Sequence, residues 1–328
     1  MKKFYKNESG QVMALFALLI TVLIGATALC VDYGLVAREA RILQNAADSA
    51  VLAATPLMLN HTKDEVKEEA VEYAAKNGVD RTKVEVLIND SGSLPTTGLD
   101  AAPKRNRYVC VTVESIVPLH FAKIFGINET EVSRKASASI EGVTGVRGCV
   151  PFSVDIDEFQ DILDEGGDYM TLKEGGGSGT NGAYGALRLG GNGASVYRLN
   201  IINGYSGLLS VGDTVPTENG NMSGPTMQGL SERCGECTHY ASSGGCTPEH
   251  YVSDCPRIVL IPLVRYIDIH SVTVEGFAPF LLDPDVGSGS ESVVHGTYLP
   301  NLVVNGTLDS TKSTSDYGPY TVKLIDIG

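Results

Sequence analysis

Val12 to Val31 reads VMALFALLITVLIGATALCV, twenty residues without a charge. A helix rises 1.5 Å per residue, so this run extends about 30 Å, the hydrocarbon thickness of a bilayer. Lys2, Lys3 and Lys6 precede it and Asp32 closes it. Positive charge in excess on the N-terminal side holds that side in the cytoplasm, so the chain after Asp32 is expected outside. The segment has two other readings. Ala26-Thr27-Ala28 has the small-x-small spacing of a signal-peptidase site, but the run exceeds a usual signal core of about 7–15 residues and its helical pattern continues past the site. Lipidation of Cys30 would need a small residue before it, where Leu29 stands.

Outward from this run, residues 32 to 54 contain no proline, and Tyr33, Val36, Ala40, Leu43, Ala47, Ala50 and Ala54 recur at three- and four-residue steps. One helix is therefore expected from the membrane to Pro56, roughly 65 Å from Val12 to Ala54. Its narrow apolar stripe suits packing either on the protein's own sheet or on neighbouring subunits.

Thr62-Lys63-Asp64-Glu65 reads as a capping box, opening a helix whose face is Val66, Ala70, Tyr73 and Ala74 and whose end is Asn77-Gly78. Val84, Val86 and Ile88 alternate, as do Val109, Val111 and Val113, with a weaker strand over 132–140 and a short helix near Phe121. Beyond Gly142 the texture turns glycine-dense, with Gly175-Gly176-Gly177-Ser178-Gly179 and Gly190-Gly191-Asn192-Gly193 between short apolar runs. Neither cluster carries the Lys-Ser or Lys-Thr of a phosphate loop. Strands are expected at 257–264, 266–269, 271–280, 296–304 and 320–327, the first apolar on both faces and so central, with Pro262 at a bulge or bend. The fold class is α+β: one N-terminal transmembrane helix continuing into a long helix packed on an antiparallel sheet, then a mainly β second domain. The expected divisions are a cytoplasmic tail over 1–11, the transmembrane helix over 12–31, an α+β domain over 32–142 and a glycine-rich, mainly β domain over 143–328.

Glu8-Ser9-Gly10-Gln11 before the apolar run, then Cys30-Val31-Asp32-Tyr33-Gly34 and Leu43-Gln44-Asn45-Ala46-Ala47-Asp48-Ser49-Ala50, resemble the N-terminal signature of TadE/TadG-like Flp pilus-assembly proteins. A looser likeness continues through Val109–Val113 and Pro118–Gly126 to Ala136-Ser137-Ala138, covering roughly 8–142. The resemblance implies an envelope-anchored structural or assembly component of a tight-adherence pilus or secretion system, partnered by the membrane, by other subunits and by further copies of itself, with no enzymatic activity and no cofactor. It resembles a pilin in its hydrophobic N-terminal spine. Prepilins of this type are cleaved after a glycine and carry a glutamate five residues later. Counting from Gly10, that place holds Leu15. An assembly or minor component is expected rather than the major filament subunit.

Twenty-five Lys and Arg against 39 Asp and Glu give a net charge of −14, a field that repels phosphate backbones, so no nucleic-acid partner is expected. Cys234, Cys237, Cys246 and Cys255 fall within 22 residues, with His239 and His250 nearby. Two chemistries compete there. In an oxidising compartment the four form two bridges, and Cys110 with Cys149 forms a third. The alternative is zinc on Cys234, Cys237, Cys246 and Cys255, an arrangement whose second pair is more widely spaced than usual. Catalytic patterns fail. Gly204-Tyr205-Ser206-Gly207 has Leu208 where a nucleophile elbow needs glycine. Asp155-Ile156-Asp157-Glu158 lacks a calcium loop's spacing and reads as a solvated acidic patch. Asp309-Ser310-Thr311-Lys312-Ser313 lies too near the end of the sequence to open an adhesion domain. The rival function is an anchored or secreted binding module with a bridge- or zinc-stabilised loop.

Overall fold

The computed structural model describes residues 9–89, 107–175, 185–218, 220, 222–285, 292–309 and 317–325. Expectations on Gly176–Gly179 and on Ser310–Ser313 lie outside the described residues. The described residues form two compact units, one of 9–89, 107–139 and 324–325, the other of those within 140–323.

The first unit is built around helix α1, Ser9–Ala54, 46 residues and so about 69 Å long. From Val12 to Val31 its side chains are exposed, apart from a half-buried Ala28. Beyond that run the helix enters a core: Ala40, Leu43, Ala46, Ala47, Ala50, Val51 and Ala54 are all buried. Pro56 then breaks the α pattern into a 3-10 turn, Thr55–Leu59. Helix α2, Lys63–Lys76, starts on the expected capping box: Thr62 N–H donates to Glu65 Oε2 at 2.8 Å, and Glu65 N–H donates to Thr62 Oγ1 at 3.3 Å. It buries Val66, Ala70 and Ala74 and ends at Asn77, followed by Gly78 at φ 92°, a conformation that a Cβ would strain. Small residues on both helices let α1 and α2 pack closely. Strands β1 (Val84–Asn89), β2 (Arg107–Pro118) and β3 (Glu129–Gly142) lie side by side in that order. Antiparallel pairing sets Val86 opposite Val111 and Ile88 opposite Val109, so the alternating valines share one face.

The second unit is mainly β. Its short strands are β4 (Gly145–Val146), β5 (Val154–Asp155), β6 (Tyr169–Lys173), β7 (Leu209–Ser210) and β8 (Thr214–Pro216), and its long ones β9 (Ile258–Asp268), β10 (Ser271–Leu282) and β11 (Val294–Tyr298). A six-stranded sheet runs β5-β9-β10-β11-β6, with β8 also on β10. The apolar run in β9 is internal, as its two apolar faces require, but the irregularity falls elsewhere. The register shifts on β10 between Val274 and Gly276, while Pro262 itself is paired with Phe277. One face carries a core of Phe152, Phe159, Ile261, Phe280 and Tyr298, the other a core of Val264, Val272, Val274 and Phe277.

Three helices in this unit escaped the strand-centred sequence reading: α3 (Ile156–Asp164), α4 (Ala194–Asn203) and α5 (Ser223–Gly235). The acidic run 155–158 is the start of α3. Asp155 caps it by accepting Asp157 N–H at 2.9 Å, and Asp157 forms a two-pronged pair with Arg265 at 2.7 and 3.1 Å. Gly193, at φ 102°, turns the chain into α4.

Candidate functional site

The first candidate site is where α1 leaves its exposed apolar stretch. Asp32 is the first charged residue after the run and is only 5% exposed. Its carboxylate accepts three consecutive backbone N–H groups: His120 at 2.8 Å, Phe121 at 3.0 Å and Ala122 at 2.7 Å. These donors lead into a 3-10 turn, Ala122–Phe125, closed by Gly126 in the left-handed region. N–H groups at such a start have no intrahelical acceptor and favour an anion. Burial raises a carboxyl pKa, but here the three donors and the nearby His120 outweigh it and hold Asp32 below its ordinary value. The ion is thus matched, and a loop 88 to 90 residues away in sequence is fastened to the helix.

The fastened loop carries its own apolar surface. Phe121, Ile124, Phe125 and Ile127 are 39, 81, 79 and 54% exposed. They sit beside the end of a run long and apolar enough to cross a membrane. Of the stripe read from the sequence, Ala40, Leu43, Ala47 and Ala50 are buried, Val36 is half-buried and Tyr33 is 75% exposed. At this end Asp32 bonds His120, and Leu35, Arg38 and Glu39 line a shallow cleft with Ile116, Val117, Pro118 and His120, a set that does not include Tyr33. Ala46 and Val51 belong to the buried face although the stripe did not include them.

The second unit holds a cleft of about 490 Å³, lined among others by Asp155, Glu158, Lys173, Glu174, Tyr266 and Asp268. Lys173 is buried, its Nζ donating to the carbonyls of Glu174 at 2.9 Å and Ser292 at 3.2 Å. Burial lowers its pKa to about 8, against a smaller opposing effect of Glu174. Burial, with Glu174 and Asp155 beside it, raises the pKa of Glu158.

None of the seven cysteines is bridged in the structure, which gives the expected bridges no support. Cys110 lies buried in β2 opposite Leu87, and Cys149 lies buried in the second unit's core. Of the four clustered cysteines, Cys237, Cys246 and Cys255 converge, but Cys234 does not. It stays on the last turn of α5, packed against the aromatic core. His239 takes the fourth place: Cys237, His239, Cys246 and Cys255 present ligand atoms all within 4.8 Å of one another. The spacing Cys237-x-His239 was visible in the sequence, yet the familiar Cys-x2-Cys pair drew the zinc reading to Cys234 instead.

Residues 10–58 match the family model described as Flp pilus-assembly TadE/G-like. The matched segment runs through the apolar stretch, Asp32 and the buried alanines into the 3-10 turn, so the likeness read over 8–142 is supported over 10–58. No curated protein matches the chain, and no solved structure does.

Proposed function

We propose that this protein is a membrane-anchored structural or assembly component of a Tad/Flp-type pilus or secretion system, working by helix packing rather than catalysis. The observation that carries the reading is the coincidence of the TadE/G-like match with α1 and its Asp32 fastening. Residues 12–31 cross the bilayer, with the lysine-bearing tail in the cytoplasm and the chain from Asp32 onward outside. Ala17, Thr21 and Gly25 recur at four-residue steps on the exposed run, the small-residue spacing that lets transmembrane helices approach closely. Because α1 continues unbroken into the first unit and is pinned there by Asp32, lateral association of the anchor also orients that unit. The apolar loop 121–127 rests in the membrane interface and limits tilting.

In cells that make the pilus, a C-terminally tagged chain is expected in the membrane fraction, with its tag cut by protease added to intact cells. Isolation under mild detergent is expected to bring down other pilus subunits, and Gly25→Leu is expected to lose them while staying in the membrane. A protected tag overturns the orientation; unchanged co-isolation and normal pili in the Gly25→Leu strain overturn the helix-packing role.

A second reading, an anchored binding module, is favoured by the cleft at Lys173. It requires that removal of residues 12–31 leave target binding intact and pilus assembly unaffected.

A further inference from the structure

The 22 residues between α5 and β9 contain one short 3-10 turn, Ala241–Ser243, and an isolated bridge between Thr247 and His250 as their only regular structure. Their apolar support is slight: Cys246 and Cys255 with Leu281 and Leu299, flanked by Cys237, Tyr240, Tyr251 and Ile258. Three residues here hold positive φ without being paired into a strand or helix, Tyr240 at 50°, Gly244 at 91° and Gly245 at 98°. Yet the segment brings three sulfurs and an imidazole to one point. Sγ of Cys237 lies 3.4 Å from that of Cys255 and 3.9 Å from that of Cys246, and 4.0 Å from Nδ1 of His239. Bonded sulfurs stand about 2.05 Å apart. Ligands at about 2.3 Å (sulfur) and 2.0–2.1 Å (nitrogen) around a tetrahedral Zn²⁺ stand about 3.5–3.8 Å apart.

We propose that Cys237, His239, Cys246 and Cys255 form a tetrahedral structural site for one Zn²⁺, which staples this segment of the second unit. The donor set is that of a closed Cys₃His site, with no position left for substrate. Binding exchanges three thiol protons for the metal, leaving a local charge of about −1 on three thiolates and one dication. The surroundings suit that charge. Backbone N–H groups of Cys246 and Arg257 point at the sulfurs of Cys237 and Cys255. The Arg257 guanidinium donates to the Cys246 carbonyl at 3.0 Å, and so sits beside the site. With Nδ1 of His239 turned to the sulfurs, its Nε2 faces Asp254 Oδ1 at 4.0 Å, the order in which a carboxylate orients a metal-bound imidazole. His250 is not a ligand: its ring lies against Tyr240, centroids 3.9 Å apart. Cys246 and Cys255 are each 3% exposed, which shields two of the three ligand sulfurs from oxidants and chelators. This site stands independently of the pilus reading.

The full chain, purified in detergent with reductant and without chelator, is expected to carry one zinc per chain by elemental analysis. Replacement by Co²⁺ is expected to give the visible d–d bands of tetrahedral cobalt and a near-ultraviolet thiolate charge-transfer band. Cys246→Ser and Cys255→Ser should lose the metal. Since those buried positions also affect folding, His239→Cys is the second test: it should keep the cobalt and shift its bands toward an all-sulfur site. Cys234→Ser and His250→Gln should retain one zinc per chain. A metal-free chain that also takes up no Co²⁺ overturns the proposal. So do loss of metal in Cys234→Ser with retention in Cys246→Ser, and a bridge among Cys237, Cys246 and Cys255 in the chain as isolated from cells, found by mass spectrometry after alkylation.

Discussion

The carboxylate of Asp32 accepts the backbone N–H of Ala122 at 2.7 Å, across 90 residues of sequence. One acidic side chain at the end of an apolar helix thereby fixes where the sheet's connecting loop sits. Without that partner, a carboxylate 5% exposed would carry an uncompensated desolvation cost; with it, the cost is offset by three donors that would otherwise lack an acceptor.

Asp32→Asn should loosen this fastening, because one of the two acceptor oxygens becomes an amide donor facing backbone N–H groups. Limited proteolysis of the full chain in detergent should cut within 119–128 faster in the variant. The acid response follows from the lowered pKa. A carboxyl whose folded value is depressed contributes stability above its unfolded value of about 3.9 and loses it as pH falls through the folded value. The parent chain should therefore show an acid-induced rise in cleavage of this loop that the Asn variant lacks. Equal cleavage of both at every pH would show that Asp32 does not hold the loop.

Ala47 has no exposed surface, in the region where α1 packs against α2 and β2. Ala47→Leu should destabilise the first unit by about 1–3 kcal/mol, the usual cost of overpacking a filled core. Asn45→Leu puts the same side chain on the exposed face of the same helix and should fall within about 0.5 kcal/mol of the parent. Denaturant unfolding of the two variants side by side measures the difference, and near-equal midpoints would place the packed face elsewhere.

Much of the first unit was legible because its signals are local. The capping box at Thr62 and Glu65, the stop at Gly78 and the valines of β1 and β2 each declare themselves within a few residues, and each is present. Asp32 was visible only as the residue ending an apolar run, since its partners are backbone N–H groups, which no side-chain pattern marks. In the second unit, α3 was hidden because its first turn is acidic and short, so a cap looked like a surface patch. The cysteine cluster was half legible: the residues were the right kind, but which four converge depends on α5 holding Cys234 in the core while the loop turns His239 inward. Compartment reasoning favoured bridges because it takes no account of where the loop puts each sulfur.

Lys173 should weaken the second unit near neutral pH. Its folded pKa is lowered to about 8, so holding its proton in the folded state is unfavourable relative to the unfolded chain, where a lysine titrates near about 10.4. Between those values the unfolded state binds more protons, and stability rises with pH. Lys173→Met removes this dependence but leaves the carbonyls of Glu174 and Ser292 without the Nζ donor. The melting temperature of the variant relative to the parent should be highest below pH 8 and fall steadily toward pH 10.5. A difference independent of pH would mean that Lys173 titrates normally.

The apolar loop beside Asp32 should lie at lipid depth, and the chain is well suited to show it because it contains no tryptophan. Phe125→Trp places a single reporter on a side chain that is 79% exposed within the protein. In water such an indole emits at long wavelength; in the interface of a bilayer its emission shifts to the blue, and lipids brominated on the acyl chain quench it. Leu87→Trp is the matched control, 53% exposed in the same unit but opposite Cys110. Cys110 lies eight residues along β2 from Pro118, about 27 Å of strand. The full chain reconstituted in vesicles should give a blue-shifted, strongly quenched Phe125→Trp and a red, unquenched Leu87→Trp. Equal quenching of the two would mean that the loop stands clear of the membrane, and that Asp32 fastens it for a protein partner rather than for lipid.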